Sequence, residues 1–367
     1  MARARRMGRK AAAKSGSAQV KDTGAGRQRT RAPSPDGQTA ETKAPRVEPP
    51  AVARLDLPAP TGERPPESGP LILTVAATPD YALLDSGRGE KLERYGPLLV
   101  RRPENQAIWE PRDPARWQDA DAEFTGDTDE EGTGRWRFPK EPLGETWPLT
   151  YDGLSYQGRF TSFRHVGVFP EQAAHWSFAE DAIRKANRAR QTPVRLLNMF
   201  GYTGVASLVA ARAGADVTHV DASKKAIGWA RENQEMAGLG DKPVRWICED
   251  AVRYAEREIK RGSQYDAILL DPPKFGRGPK GEVWQLFEDL PYLLSLTRAL
   301  LSDKPLFVIL TAYSIRASFY SLSALMGETM RGLGGDLASG ELVIREDGAE
   351  PRVLSTSLFS RWSAPDV

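Results

Sequence analysis

The segment of residues 194–221 limits the fold of this chain more than any other stretch. It begins with a mainly apolar run, Val194 to Phe200, as is typical of a strand buried in a parallel sheet. A glycine turn, Gly201 to Gly204, follows, and an alanine-rich stretch with helical spacing then runs to Gly214. A second apolar run ends on Asp221. This order of strand, glycine turn, helix, strand and acid predicts one repeat of an α/β sheet.

The same segment predicts a bound nucleoside. Glycines in the turn let a ligand approach the backbone, and the start of the helix presents N–H groups without helical partners. Asp221 stands 20 residues after Gly201, which suits a carboxylate that accepts hydrogen bonds from two ribose hydroxyls. A dinucleotide site expects a third glycine beyond Gly204. The pattern therefore favours a ribose-bearing ligand without a pyrophosphate, such as S-adenosylmethionine (SAM), over an ordinary unit without a ligand.

Residues 161–367 continue the same alternation. Strands are expected at 194–200, 216–221, 244–249, 265–271 and 305–313, and helices starting near 204, 223, 251, 283 and 317. Two final runs, ELVIRE and VLSTSLFSRW, predict a closing antiparallel pair. Five strands separated by helices predict a doubly wound, Rossmann-like α/β sheet with helices on both faces.

Three of these strands end at or just before an acid: Asp221, Asp250 and Asp271. In such sheets ligands bind beyond the carboxyl ends of the strands, so the three acids should surround one crevice. We expect Asp221 to bind the ribose and Asp250 to accept from the adenine amine. Asp271 begins D-P-P-K-F, where two prolines stiffen the loop and leave carbonyl oxygens available as acceptors. Such a rigid ring of acceptors can orient an amine or a base edge for attack on a sulfonium methyl group.

The amino-terminal part of the chain has a different character. Residues 1–70 are rich in Arg, Ala, Pro, Ser and Gly, with fourteen Lys and Arg against seven Asp and Glu, and we expect a disordered leader. This leader is a solvated tail, a basic arm for RNA phosphates or an organellar targeting peptide. Residues 71–160 contain short alternating runs and an Asp152-Gly153 pair, which predict a small β-rich domain with a hairpin. We expect its tryptophans to be core residues rather than a base-stacking platform.

Composition excludes several classes of protein. The single cysteine, Cys248, cannot form an intramolecular disulfide and favours a reducing compartment, so we expect a cytoplasmic protein unless the leader is a targeting peptide. The 3 histidines are scattered and predict no metal site. No apolar run approaches the roughly 18 residues that a membrane span needs.

Three motifs resemble those of class I SAM-dependent methyltransferases: NMFGYTG, VDASKKAIGWARENQEMAGL and YDAILLDPPKF. The resemblance covers about residues 150–362 and is strongest to bacterial methyltransferases of large-subunit ribosomal RNA that modify cytosine C5 or guanine. The segment FPEQ, Phe169 to Gln172, is similar to an F-x-D-Q piece that precedes the cofactor strand in that family. The candidate cofactor-binding residues are then Gln172, Asn198, Phe200, Gly201, Tyr202, Thr203, Gly204, Asp221 and Asp250, and the candidate catalytic residues are Asp271, Pro272, Pro273 and Lys274.

One departure from that family decides the expected chemistry. Members that methylate cytosine C5 attack the ring with a cysteine on the loop after the fifth strand, because this carbon must first be activated covalently. Here that loop reads Leu310-Thr311-Ala312-Tyr313-Ser314, and Cys248 falls within the third strand, where we expect buried packing. The resemblance implies RNA, and ribosomal RNA in particular, as the substrate. We therefore expect methylation at a nitrogen of a base rather than at C5.

Other functions fit the same residues. The near-neutral larger domain keeps open a methyltransferase that acts on a small molecule or a protein. A nucleotide-dependent oxidoreductase would use the same kind of sheet, although the missing third glycine counts against it. A SAM- or RNA-binding module without activity is disfavoured by the three strand-end acids. The glycine-rich loop that carries Lys274, Arg277 and Lys280 is either a flap that closes on a substrate phosphate or a solvated loop.

Overall fold

The computed structural model of the protein describes residues 54–126, 133–313, 315–365 and 367. The strands in chain order are β1 (Glu67–Val75), β2 (Tyr81–Gly87), β3 (Glu90–Tyr95), β4 (Leu98–Pro103), β5 (Ala122–Gly126), β6 (Gly134–Arg137), β7 (Thr146–Tyr151), β8 (Leu154–Arg159), β9 (Arg195–Met199), β10 (Asp216–Asp221), β11 (Val244–Cys248), β12 (Ala267–Leu270), β13 (Phe275–Arg277), β14 (Val283–Gln285), β15 (Phe307–Tyr313), β16 (Asp336–Arg345) and β17 (Val353–Ser363). The helices are α1 (Ala173–Ala189), α2 (Val205–Arg212), α3 (Lys224–Met236), α4 (Ala251–Lys260), α5 (Leu286–Ala299) and α6 (Phe319–Thr329), and short 3-10 turns lie at Arg116–Asp119 and Pro170–Gln172.

Eight strands form the central sheet, in the order β1-β16-β17-β15-β12-β9-β10-β11. Strands β9, β10, β11, β12 and β15 run parallel, while β17 runs antiparallel between β15 and β16. The chain reverses its direction of travel across the sheet between β9 and β12, so the switch point lies there. The doubly wound sheet and its closing antiparallel pair confirm the fold predicted from the sequence.

The central strands are buried because helices cover both faces of the sheet. Leu196 packs in one core cluster with Ile183 of α1 and Ala211 of α2, whereas its neighbour Leu197 packs in another with residues of α4, α5 and α6, among them Leu293. Successive side chains of a strand point to opposite faces, which is why these two leucines serve different cores. This two-sided burial explains the continuous apolar runs that marked the strands in the sequence.

One predicted helix begins later than expected. The helix expected near residue 283 starts at Leu286, because the segment after D-P-P-K-F folds into the antiparallel hairpin β13–β14. The glycine-rich loop of the sequence is therefore a short hairpin with a tight tip, at which the Gly278 N–H donates to the Glu282 carbonyl.

The β-rich region contains a five-stranded sheet, β2-β3-β4-β5-β6, and the separate hairpin β7–β8. The hairpin turn uses Asp152 and Gly153 with φ angles of 45° and 75°, as a two-residue type I′ turn requires, so the predicted hairpin is confirmed. Its tryptophans pack as core residues: Trp117 and Trp147 are buried, and Trp109 and Trp136 are half-buried against the apolar cluster of this region.

The boundary expected at residue 70 does not match the structure. Strand β1 begins at Glu67 and pairs parallel with β16 in the central sheet, so it is not part of the small β-rich sheet. Leu55 and Leu57 pack against the core beneath α5, and the Leu55 N–H donates to Tyr292 Oη at 2.7 Å. The ordered chain thus includes residues 54–70, because these apolar groups find partners far along the sequence. The remainder of the expected leader, residues 1–53, lies outside the described residues.

The β-rich region also shares a core with the larger one. Leu83 and Tyr95 lie in the same buried cluster as Trp176 of α1 and Leu208 of α2. This shared core brings the segment between β8 and α1 to the carboxyl edge of the central sheet. Within the part of the chain described, no helix is long and apolar enough to cross a membrane.

Candidate active site at the strand ends

The glycine turn after β9 has an unusual backbone. Phe200 and Tyr202 adopt left-handed conformations with φ of 59° and 53°, and Gly204 has φ of 83°. A Cβ on Gly201 would lie 2.3 Å from Cε1 of His219, so only glycine fits there. Two non-glycine residues in this strained region within one turn point to a functional role, because such strain persists where the surroundings fix it.

Asp221, the last residue of β10, holds this turn in place. Its Oδ2 accepts from the Tyr202 N–H at 2.9 Å, and its Oδ1 accepts from the Ser223 N–H at 2.7 Å. Burial raises the pKa of Asp221, while these two hydrogen bonds oppose the shift. Each carboxylate oxygen keeps further acceptor capacity beyond its one backbone partner. The side chain therefore supports the turn and can still accept from a ligand.

Asp250 lies at the helix start after β11. Its Oδ1 accepts from the Arg253 N–H at 3.0 Å and caps α4, and burial is the main cause that raises its pKa. Sequence reasoning gave this residue only a ligand-binding role. The structure adds a capping role, which an acid followed by an amphipathic helix could have indicated.

Asp271 is held by side chains from two distant segments. Gln172 Nε2 donates to Asp271 Oδ2 at 3.2 Å, and Thr311 Oγ1 of β15 donates to Gln172 Oε1 at 3.4 Å. The Asp271 N–H also donates to the carbonyl of Met199 at 3.3 Å. This chain of hydrogen bonds fixes the carboxylate at the switch point, where β9 and β12 are adjacent.

The D-P-P-K-F loop is braced by the hairpin that follows it. Pro272 is buried, and the Pro273 carbonyl accepts from the indole N–H of Trp284 at 2.7 Å. The Lys274 carbonyl accepts from the Leu286 N–H at 3.0 Å, while the Lys274 side chain is exposed. The Pro273 carbonyl, which was expected to be available as an acceptor, already has a donor from a distant residue, because β14 folds back and brings Trp284 to it.

These elements surround one cavity at the carboxyl edge of the sheet. The candidate residues that line it are Gln172, Asn198, Phe200, Gly201, Tyr202, Thr203 and Asp271. The other candidates, Gly204, Asp221, Asp250, Pro272, Pro273 and Lys274, lie outside its lining but on the same loops and strand ends. Among the lining residues that sequence reasoning missed are the polar side chains His175 and Thr311. Thr311 was indicated by its place near the end of the fifth strand, whereas His175 had no signal beyond its residue type.

Buried polar side chains support the floor of this cavity. Asn198 Nδ2 donates to Ser207 Oγ at 2.9 Å, and Ser207 Oγ lies 3.0 Å from Nδ1 of His219. Thr203 Oγ1 donates to the Gly167 carbonyl at 2.6 Å. Burial lowers the pKa of His219 to about 3, so this ring is neutral at physiological pH. Hydrogen bonds among buried residues beneath the cavity thus fix the conformation of the glycine turn.

Cys248 does not occupy the buried position that was expected for it. Its side chain is exposed, and Sγ donates to the Ala222 carbonyl at 3.7 Å. The reason is topological, since β11 is an edge strand of the sheet and Cys248 is its last residue. The stretch Leu310 to Tyr313, expected to form the loop after the fifth strand, lies within β15, and it contains no cysteine.

A doubly wound sheet with a glycine turn and three acids at its strand ends defines an enzyme class that binds a nucleoside cofactor at the switch point. One solved structure carries this further. The SAM-dependent methyltransferase from Agrobacterium tumefaciens is 61% identical, with a TM-score of 0.80, and the match covers 85% of this chain and 99% of that one. The present chain therefore belongs to the SAM-dependent methyltransferases, and SAM is its cofactor.

Other matches cover smaller parts of the chain. Residues 181–292 match the family model described as Conserved hypothetical protein 95. Ribosomal RNA large subunit methyltransferase I of Aeromonas salmonicida is 39% identical over 82 residues, which are 22% of this chain and 21% of that protein. Ribosomal RNA large subunit methyltransferase K/L of Chromohalobacter salexigens is 32% identical over 148 residues, 40% of this chain and 19% of that protein. The chain thus spans about a fifth of the length of these curated relatives.

Proposed function

We propose that this protein transfers a methyl group from SAM to a nitrogen atom of a base in RNA, with ribosomal RNA as the preferred substrate. The observation that carries the proposal is the hydrogen bond from Gln172 Nε2 to Asp271 Oδ2 at 3.2 Å. This bond fixes the Asp271 carboxylate beside the glycine turn. The names of the two ribosomal RNA methyltransferases that match part of the chain support RNA as the substrate class. The single cysteine supports a cytoplasmic location, where thiols stay reduced.

The residues around the cavity fit SAM by their chemistry. Asp221 offers further lone pairs on both oxygens to a ribose diol. Asp250 caps α4 with Oδ1, and we assign its other oxygen, Oδ2, to the adenine amine. The left-handed turn from Phe200 to Gly204 lets a ligand approach the backbone closely. When bound, SAM supplies an electrophilic methyl group on a sulfonium. We assign Asn198, Thr203 and Gln172 to the shape and polarity of the cavity beside it.

Asp271 is the residue that we assign to the acceptor base. Its carboxylate accepts a hydrogen bond from an amine or ring N–H of the base and so aims the nitrogen lone pair at the methyl group. Gln172 and Thr311 hold the carboxylate in one orientation, which is the pre-organisation that positioning catalysis requires. The nitrogen forms its new bond as the sulfur–methyl bond breaks, and the proton lost from the amine passes to Asp271 or to water.

A nitrogen acceptor fits these residues better than cytosine C5. Attack at C5 needs a thiolate near the base. Strand β15 ends on Tyr313, and the exposed Cys248 lies on the far side of β9 and β10, at the edge of the sheet. The exposed cations of the hairpin β13–β14, Lys274, Arg277 and Lys280, suit contacts with RNA phosphates next to the site.

The test is methyl transfer from labelled SAM to ribosomal RNA taken from cells that lack the gene. Digestion to nucleosides and mass mapping should show one methylated base nitrogen, present with wild-type protein and nearly absent with Asp271→Asn. Glu288→Gln, which changes an exposed acid on α5, is the matched control and should retain activity. The appearance of 5-methylcytidine would contradict the nitrogen assignment. Transfer to proteins or metabolites but to no RNA would contradict the substrate class.

A further inference from the structure

Three aromatic side chains form a continuous wall beside the cavity: His165, Phe169 and Tyr313. The ring centroid of Phe169 lies 4.8 Å from that of His165 and 4.9 Å from that of Tyr313, with interplanar angles of 47° and 44°. All three residues are half-buried, and the Tyr313 hydroxyl is shielded from solvent.

Two observations put this aromatic wall next to the catalytic carboxylate. Phe169 itself lines the cavity and directly precedes the 3-10 turn of Gln172, whose amide donates to Asp271. On β15, alternate side chains share a face of the sheet. Ile309 and Thr311 line the cavity, so Tyr313, two residues beyond Thr311, lies on the same face at the mouth.

We propose that the aromatic wall stacks on the face of the RNA base that accepts the methyl group, while Asp271 binds the edge of that base. This inference rests on the function proposed above and adds the means by which the base is held. A base must leave its helical stack before an enzyme can reach an edge atom, and it then needs a new stacking surface. Stacking on aromatic side chains tolerates any base, because every base has a π-face.

The position of Tyr313 gives the wall a role in the choice of reaction. It lies at the end of β15, and a phenol cannot replace a thiolate as nucleophile at a ring carbon. A broad ring there can instead hold a planar base at van der Waals distance. The aromatic wall would therefore hold the base by stacking, without a covalent bond between protein and base.

The competing explanation is that the wall supports only the cofactor. Phe169 also lies 5.9 Å from the ring of Tyr202 in the glycine turn, so a loss of packing could reach the SAM site. The two explanations differ in what Tyr313→Ala should change. A base-stacking wall predicts a higher KM for RNA with unchanged SAM affinity, whereas a cofactor support predicts weaker SAM binding.

The experiment compares wild type, Tyr313→Ala and Tyr313→Phe, with Phe169→Leu as a second variant in case Tyr313→Ala folds poorly. Tyr313→Ala should raise the KM for RNA at least fivefold, and Tyr313→Phe should stay within about twofold because it keeps the ring. Calorimetric SAM affinity should be the same in wild type, Tyr313→Ala and Tyr313→Phe. An RNA with an abasic site at the target nucleotide completes the cycle: the affinity lost relative to intact RNA should be smaller for Tyr313→Ala than for wild type.

Each outcome bears on a different part of the inference. Equal KM values for wild type and Tyr313→Ala would overturn the aromatic wall while leaving the proposed function in place. A drop in SAM affinity in Tyr313→Ala would also overturn it, in favour of cofactor support. A wild-type protein that methylates no RNA would overturn the proposed function, and the wall with it.

Discussion

Two groups of buried acids in this protein are stabilised in different ways. In the β-rich region, burial alone would raise the pKa of Glu93, but Arg102 and Lys91 reverse the shift and lower the pKa to about 2. Arg102 Nε donates to Glu93 Oε2 at 2.5 Å, and its terminal nitrogen donates to Tyr95 Oη at 2.6 Å. At the strand ends, burial raises the pKa of Asp221, and the groups that oppose it are backbone N–H donors.

This difference distinguishes structural acids from acids that are suited to a ligand. The Glu93 carboxylate uses its acceptor sites on one guanidinium and two phenols, so little capacity is left for another partner. Asp221 accepts one backbone N–H per oxygen and is paired with no cation in the described chain. A buried carboxylate without a cation is costly on its own, and a ligand that donates to it recovers part of that cost.

Breaking the pair in the β-rich region should have the largest effect. Arg102→Met leaves Glu93 buried without its main cation and is expected to lower the free energy of unfolding by about 3–5 kcal/mol. The matched control is the adjacent Arg101→Met, since Arg101 pairs with Glu90 in a partly exposed position and should cost about 1 kcal/mol or less. Urea unfolding of both variants measures the difference, and equal losses would remove the distinction between the two regions.

Glu171 lies near the same cations as Glu93 (Lys91 and Arg102), but it is not paired with them as Glu93 is. Burial raises its pKa to about 7, and the charges of Lys91 and Arg102 offset only part of that shift. Because the folded pKa lies above the unfolded value of 4.5, its contribution to stability is complete below pH 4.5 and is lost as the pH rises through 7. Glu171→Gln should therefore be the more stable protein near pH 8, by at most about 3 kcal/mol, and should match wild type below about pH 4.

Thermal or urea unfolding at several pH values tests this expectation directly. The buried His175 and His219, whose pKa values are lowered by burial to about 3, titrate in both proteins and cancel in the difference. An advantage of Glu171→Gln that grows toward low pH would have the wrong sign. It would mean that Glu171 is held ionised, as Glu93 is.

At the strand ends the effects should appear in function rather than in stability. Asp271→Asn is expected to lower kcat by about two orders of magnitude, because the acceptor that orients the nucleophile is weakened and positioning is most of the catalysis. Its melting temperature should change little, since Gln172 can still donate to the amide oxygen. Single-turnover methyl transfer gives the rate. A variant that loses stability but keeps its rate would place Asp271 with the structural acids.

Asp221→Ala should weaken SAM binding more than tenfold, since the loss of a charged acceptor for two hydroxyls costs roughly 1.5–3 kcal/mol. Asp216→Ala is the control, because Asp216 is an exposed acid at the opposite end of the same strand. Calorimetry on both variants compares the affinities. Equal affinity in Asp221→Ala and Asp216→Ala, or preferential binding of NAD by wild type, would contradict the assignment of Asp221 to the ribose.

The sequence predicted the strand-end acids because each follows an apolar run within a few residues, and the same local patterns predicted the strands of the doubly wound sheet. The ion pair of Glu93 with Arg102 was not predictable, because the two residues lie on neighbouring antiparallel strands, β3 and β4, and the register of these strands cannot be read from either segment alone. The Gln172–Asp271 bond joins residues 99 positions apart. The pairing of β1 with β16 likewise depends on distant segments.

The exposure of Cys248 also could not be predicted from the local sequence. Its substitution should have the smallest effect on activity and stability. A local reading of VRWIC gives a strand, but only the strand order shows that β11 is an edge and that its last side chain is exposed. The thiol should therefore react readily with a maleimide in the native protein. Since Asp250, two residues further on, is assigned to the adenine, saturating SAM should slow that reaction.

Cys248→Ser should keep methyl transfer to RNA within about twofold of wild type, because a nitrogen acceptor needs no covalent activation by a thiol. It should also leave stability nearly unchanged, since an exposed side chain buries little area that the substitution could remove. A cysteine-dependent enzyme would instead become inactive and, as wild type, would form a covalent adduct with 5-fluorocytosine in RNA. An inactive Cys248→Ser together with an active Asp271→Asn would reverse the roles given to the two residues and with them the nitrogen chemistry.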